Sequence, residues 1–371
     1  MGLTNNIVRA MKEQARAKRI PLTVNMELLP VCNLNCKMCY IRTEMAVVKK
    51  MGGLLAASEW IGLAKEMLEE GTLFLLLTGG EVFLYPNFRY LYEQLYLMGF
   101  IITLNTNGTM IDENTVEWLK RYPPKCVSIS LYGVSDDTYE QLCGKKGMFK
   151  RVSNAISLLK RAGITVECKT LLNPLNIDDM HKCWDYCKEH DIAYEMATYA
   201  FPPSRKIEKE QQIRFSCEEI WKRQFECNKV MYGKENYDRH IAEAVDIYEK
   251  TKNLPGKEIY GFTCSAANSS CWINWQGHMT PCAMMNEPYE LPFEEGFANA
   301  WTSLKEKSDK IRFSTKCSFC DKRSICSVCP ASNYAESGKL DGCSEYHCKM
   351  MEGKLNYMLE YTRENKLLER E

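Results

Sequence analysis

An α/β fold, a partial (β/α)6 TIM-like barrel followed by a small cysteine-rich domain, is what the sequence predicts, and three observations predict it. Short apolar runs alternate with helix-like segments from residue 22 to about residue 200. After about residue 255 the composition turns to Cys, Ser, Asn, Gly and Pro. Of the nineteen cysteines, ten lie between Cys32 and Cys227 and nine are crowded between Cys264 and Cys348.

The strand candidates are residues 22–29, 72–80, 100–108, 126–133, 164–172 and 192–200, each short, apolar and rich in β-branched or aromatic residues. Between them lie segments with helical periodicity. In SEWIGLAKEMLEEG, Ser58 is the expected N-cap and Gly71 the C-cap, and FKRVSNAISLLKRAG ends at Gly163. These crossovers are long enough for parallel pairing. Six units are fewer than the eight that close a barrel, so an open one is expected, with its chemistry at the C-terminal strand ends. Residues 205–255 carry no strand signal and read as two helices, around EEIWKRQFECNKVMYG and NYDRHIAEAVDIYEKTK. The chain therefore divides into a barrel over 1–204, a helical linker over 205–256, a cysteine-rich domain over 257–350 and a C-terminal helix over 351–371. The third part has too few periodic apolar residues for a core of its own, as in metal-organised domains.

Lys plus Arg equals Asp plus Glu at 48 each, with no long run of one sign, which excludes bulk nucleic-acid or membrane binding. No stretch of eighteen apolar residues occurs, and the first twenty-one residues are too charged for a secretory signal. A cytoplasmic protein is expected. In that reducing compartment the cysteines are metal ligands, reactive thiols or small buried residues rather than disulfides.

Cys32, Cys36 and Cys39 follow the first strand in LLPVCNLNCKMCYIRT, a CxxxCxxC spacing at the expected chemical face. Three thiolates hold three irons of a [4Fe–4S] cube and leave the fourth open to a small molecule. A structural zinc ion is the alternative, but it takes four ligands, usually in C-x2-C pairs. The next strand ends in Thr78-Gly79-Gly80-Glu81, the third in Asn105-Thr106-Asn107-Gly108 and the fourth in Ser130-Leu131-Tyr132-Gly133.

These motifs resemble the radical S-adenosylmethionine (SAM) family, with its CxxxCxxC loop, GGE turn and SLYG-like strand. The resemblance implies that Cys32, Cys36 and Cys39 hold the SAM-binding [4Fe–4S] cluster. Gly79 and Gly80 would let the backbone approach SAM, and Glu81 would receive its ammonium group. Ser130 and Arg151 would contact its carboxylate, while Tyr40 would cover the adenine and Asn105 would add a polar wall. Met38 and Val82 stand where the family often has an aromatic residue and a proline.

The second cysteine region reads C-x12-G-x4-C over Cys264, Gly277 and Cys282, with Cys271 between, then C-x2-C-x5-C-x2-C over Cys317, Cys320, Cys326 and Cys329. It resembles the SPASM domain, which carries two auxiliary [4Fe–4S] clusters, although the last gap is usually x3. By that resemblance Cys264, Cys271, Cys282 and Cys329 would hold one cluster and Cys317, Cys320, Cys326 and Cys348 the other. Cys343 competes with Cys348 for the last place, and a pair of zinc ribbons is the alternative. The remaining cysteines are small buried residues.

The resemblance implies reductive cleavage of SAM to a 5′-deoxyadenosyl radical that abstracts hydrogen from a peptide or protein substrate. A flavodoxin- or ferredoxin-type reductant would serve it. With about twenty residues before the first strand, the peptide is expected to be gripped by the barrel mouth, by the 205–255 helices or by a separate peptide-recognition protein. No catalytic acid or base is assigned. Sulfatase-maturating relatives are the nearest rival, but they place an aspartate after the cysteine of the G-x4-C segment, where Ala283 stands here. A non-catalytic iron–sulfur electron carrier or redox sensor is the alternative of another class, and it would not need a SAM pocket.

Overall fold

The computed structural model describes residues 2–203 and 213–368. The first residues of the expected linker, up to 212, lie outside the described residues. Helix α1 (Gly2–Lys18) leads into strand β1 (Thr23–Glu27), and Ala15, Leu22 and Phe74 form a small apolar cluster at its base. Then come β2 (Phe74–Thr78), β3 (Ile101–Thr106), β4 (Cys126–Ser130), β5 (Val166–Leu171) and β6 (Ala193–Ala197). Each pairs in parallel with the one before it, in sequence order. All six expected strands are present, each shorter than expected.

The crossovers are helical: α2 (Met45–Lys50) and α3 (Ala57–Glu69), α4 (Phe88–Leu97), α5 (Glu113–Arg121), α6 (Asp136–Cys143) and α7 (Met148–Arg161), and α8 (Met180–Glu189). Their apolar spacing explains their placement. In α7 the buried residues Val152, Ala155, Ile156 and Leu159 form one stripe against the sheet. Asp112 caps α5 by accepting the Thr115 N–H at 2.8 Å, and Ser135 caps α6 by accepting the Thr138 N–H at 3.1 Å. Ser58 is not the cap of α3. The helix starts at Ala57, two residues before a Ser58 cap would begin it, and its cap residue is Ala56, whose N–H donates to the Glu59 carboxylate at 2.6 Å.

The sheet does not stop at β1. Its outer edge is occupied by β7 (Ser270–Ile273), which runs parallel to β1 with Val24 opposite Cys271 and Met26 opposite Ile273. Strand β8 (Met279–Thr280) then pairs antiparallel with β7, giving eight strands in the order β6-β5-β4-β3-β2-β1-β7-β8. The composition boundary near 257 is therefore not a boundary of the sheet: an open barrel leaves the N–H and C=O groups of β1 without a partner on one side, and the cysteine-rich segment supplies one. Helices α9 (Ile220–Thr251), α10 (Pro292–Glu295) and α11 (Phe297–Asp309) follow the barrel. The Trp60 and Phe293 rings meet edge to face at 5.2 Å, and Trp301 Nε1 donates to the Arg19 carbonyl at 3.0 Å.

The two linker helices appear as α9, interrupted at Gly233, whose backbone is not helical (φ 72°, ψ 165°). After α12 (Thr315–Ser318) and α13 (Pro330–Ser337), the last helix α14 (Glu345–Glu364) begins earlier than the expected 351. Its aromatic face packs on α9, with Phe225 and Tyr357 4.5 Å apart between ring centres.

Candidate functional site

The C-terminal ends of β1 to β5 converge on a cavity of about 240 Å³. Cys32, Cys36 and Cys39 all line it, from the loop after β1. That loop is fixed by its neighbours. The Asn35 and Lys37 N–H groups donate to the carbonyls of Cys143 and Leu142 at the end of α6, both at 3.0 Å. Asn107 Nδ2 donates to Asn33 Oδ1 at 2.8 Å and approaches Cys32 Sγ at 3.6 Å, while Asn33 Nδ2 donates to the Thr109 hydroxyl at 2.8 Å. Backbone donors face two sulfurs, Leu34 N–H to Cys32 at 3.4 Å and Arg42 N–H to Cys39 at 3.3 Å. Burial pushes the Cys32 thiol up to about 12. A hydrogen bond with Cys143, together with burial, pushes Cys36 well above the ordinary thiol value.

Gly79 and Gly80 line the same cavity, but their missing side chains serve the protein first. A Cβ on Gly79 would stand 2.5 Å from the Leu29 carbonyl oxygen, and one on Gly80 would strike the Val31 carbonyl. The close approach lets Gly80 N–H donate to Leu29 at 2.7 Å and Glu81 N–H to Val31 at 3.0 Å, which seats the β2 turn on the root of the cysteine loop. Glu81 itself is fully buried and is not part of the cavity wall. Its carboxylate accepts the Thr106 hydroxyl at 2.7 Å, the Asn107 N–H at 2.9 Å and the Phe83 N–H at 3.3 Å, so it fastens the end of β3 to that of β2. Burial raises its pKa in spite of these donors.

Asn105, Ser130 and Tyr40 line the cavity, and the Tyr40 ring also packs on Phe201 at 5.0 Å. Arg151 lies on the exposed face of α7 and is not among the lining residues. The basic side chain that the structure brings to the wall is Lys169 on β5, which sequence reading missed. It forms ion pairs with Glu167 at 3.3 Å and Glu195 at 3.5 Å; burial works against its charge, but the two carboxylates hold its pKa above the usual lysine value. A signal was available: in VECKTL the residues alternating with Lys169 are Val166, Cys168 and Thr170, all buried, and a lysine on the other face of a parallel strand marks an opening.

A family model described as the radical SAM superfamily matches residues 26–190, which contain every one of these cavity residues. Residues 26–190 are a radical SAM domain. The chain is 25% identical over 333 residues to the AdoMet-dependent heme synthase of Methanosarcina barkeri, covering 86% of this chain and 93% of that one. It is 25% identical over 348 residues to the subtilosin biosynthesis protein AlbA of Bacillus subtilis, covering 89% and 70%. Among solved structures, Streptococcus suis SuiB superposes with a TM-score of 0.67 at 17% identity, over 91% of this chain and 80% of that one, which shows the shared fold.

The radical SAM family implies a [4Fe–4S] cluster and SAM, and the residues present fit them. Three cavity-facing thiols, two of them with N–H donors aimed at sulfur, form a donor set for a thiolate-bound cluster, and polar strand ends face the same space. Among the described residues no three His, Cys, Asp or Glu side chains converge on a single-ion site. No helix among them is long and apolar enough to cross a membrane.

Beyond the radical SAM domain, Cys317, Cys320, Cys326 and Cys348 line one cavity of about 520 Å³, together with Cys343. Cys282 and Cys329 share an apolar cluster with Phe262, and Cys329 caps α13 by accepting the Ser332 N–H on sulfur at 3.4 Å. Cys264 is exposed. Cys271, expected beside these three, is instead fully buried in β7 with Ile273, in the apolar packing that includes Val24, Trp301 and Leu304. The resemblance implied a ligand at this position; the structure places Cys271 on a strand inside the core, in the surroundings of a small apolar side chain.

Proposed function

We propose that the chain is a radical SAM peptide-modifying enzyme, in which Cys32, Cys36 and Cys39 hold the SAM-binding cluster. The observation that carries this is the reach of the AlbA likeness: the match to this bacteriocin biosynthesis protein covers 89% of this chain and so runs through both its barrel and its cysteine-rich region. SuiB, which shares the fold, has a structure bound to its precursor peptide SuiA. Bound at the cavity, the cluster and SAM supply a 5′-deoxyadenosyl radical. The protein's own contribution is confinement: Tyr40 and Tyr132 shield the cavity, Asn105, Ser130 and Lys169 supply polar contacts for the methionine end of SAM, and Glu81 holds the β2 and β3 ends in register. Lys169 replaces Arg151 as the cation closest to that role.

Cys264, Cys282 and Cys329 would serve a first auxiliary cluster and the cavity under α14 a second, with electrons delivered by a flavodoxin- or ferredoxin-type protein. Ala283 leaves the formylglycine reaction without its expected base, which favours another peptide modification. The likeness to the heme synthase supports a second reading, a tetrapyrrole substrate. Reduced protein should convert SAM to 5′-deoxyadenosine, and the Cys32, Cys36 and Cys39 to Ala variant should lose about four irons and all of that activity. Mass spectra after incubation with a neighbouring precursor peptide, a sulfatase-motif peptide and an iron porphyrin separate the readings. A mass change in the porphyrin alone would overturn the peptide assignment.

A further inference from the structure

Five thiols, one more than a four-iron cube takes from a protein, line the cavity under α14. Four of them are the set assigned above to the second auxiliary cluster. The fifth, Cys343, has its sulfur 3.6 Å from that of Cys317 and 3.7 Å from that of Cys348.

The contact with Cys348 has a local cause. Ser344 is the N-cap of α14: its hydroxyl accepts the His347 N–H at 3.1 Å and pairs with His347 Nδ1 at 2.8 Å. Its own N–H donates to Asn333 Oδ1 at 3.1 Å, so the start of the helix is held from both sides. Cys343 is then the residue before the cap and Cys348 the fourth residue of the helix. At helix starts these two positions commonly hold apolar side chains that pack on each other. Such a staple explains the contact. It does not explain why both side chains face a space shared with three more thiols.

Sulfurs that bind different irons of one cube stand apart, and the Cys343 sulfur touches two of them, Cys317 and Cys348, so it competes with each for its iron. We propose that Cys343 is a spare ligand of the second auxiliary cluster, placed to take the iron of Cys317 or of Cys348 when that thiolate is lost. The inference rests on the reading that a cluster occupies this cavity. A second thiolate at the same corner keeps that iron in protein ligation when the first is displaced.

The test is iron and sulfide content, with electron paramagnetic resonance of the reduced clusters, in anaerobically reconstituted full-length protein. Valine is close to cysteine in shape and preserves the apolar contact at the helix start. With excess SAM present, Cys317→Val and Cys348→Val should each keep the wild-type iron and the wild-type response of the resonance to added cyanide, because Cys343 supplies the fourth thiolate, whereas adding Cys343→Val to either leaves three thiolates and an open iron whose resonance cyanide shifts, with helical circular dichroism intact. A new cyanide shift in either single variant, or none in both double variants, would overturn the inference. So would iron loss accompanied by loss of helicity, since cap packing would then account for it. A variant with Cys317, Cys320, Cys326 and Cys348 all changed to Val tests the underlying reading separately: if it keeps all its iron, no cluster sits in this cavity and both fall together.

Discussion

At Glu81 the chain buries a carboxylate under three donors, and the balance between burial and hydrogen bonding makes a measurable difference. Because burial wins, the folded chain holds the Glu81 proton above the ordinary value of 4.5. In the window between 4.5 and the raised value the folded state binds more protons than the unfolded one, so this group's contribution is complete below the window and declines as pH rises through it. Glu81→Gln cannot ionise. Its unfolding free energy should fall less steeply with pH across that window than the wild type's, measured by denaturant titration at a series of pH values; equal slopes would show that Glu81 does not titrate there. Cys271 offers a second contrast at this scale. Cys271→Ala should keep the wild-type iron content and lose about 1 kcal/mol of stability, as a small truncation in a packed core does, whereas Cys282→Ala should lose about four irons.

Among the elements, the break in α9 depends on one residue. Gly233 combines a φ of 72° with a ψ of 165°, a conformation essentially reserved for glycine, and no atom stands within 4 Å of where a Cβ would be. Gly233→Ala should therefore cost about 1–3 kcal/mol through backbone strain alone, visible as a lower midpoint in thermal unfolding. The six barrel strands were legible because a parallel sheet covered on both faces demands short, continuous apolar runs, and LTVNMELL and TLFLLLTGG are plain examples. Strand β7 was not legible: SCWI is four residues long, set in a polar stretch, and becomes a strand because β1 offers it an edge. The same tertiary cause places Cys271 in the apolar core. At the candidate site, the cysteine loop and the polar strand ends could be read from spacing. Which way a side chain turns could not: Glu81 is buried behind the cavity wall, Arg151 lies on the exposed face of α7, and Asn33, Thr109 and Lys169 define no motif.

Over the whole molecule, the barrel and the cysteine-rich region share one apolar core rather than meeting at a surface. Phe297, Trp301 and Leu304 of α11 belong to the same buried cluster as Trp60 and Leu63 of α3, and the Phe297 N–H donates to Glu66 at 2.7 Å. Trp301→Ala should thus lower the stability of both regions together, by about 3–5 kcal/mol, with one cooperative transition by circular dichroism. Two separated transitions would show that the regions unfold independently.

The pairing of β1 with β7 also sets an order in time. During synthesis the cysteine loop leaves the ribosome first, and the strand that carries it gains its second neighbour only when residues 270–273 emerge, about 240 residues later. At bacterial and eukaryotic elongation rates that delay is on the order of ten to fifty seconds. For that interval the loop's thiols stand on a sheet that lacks one strand, so until residues 270–273 arrive the cell has to keep them from oxidants.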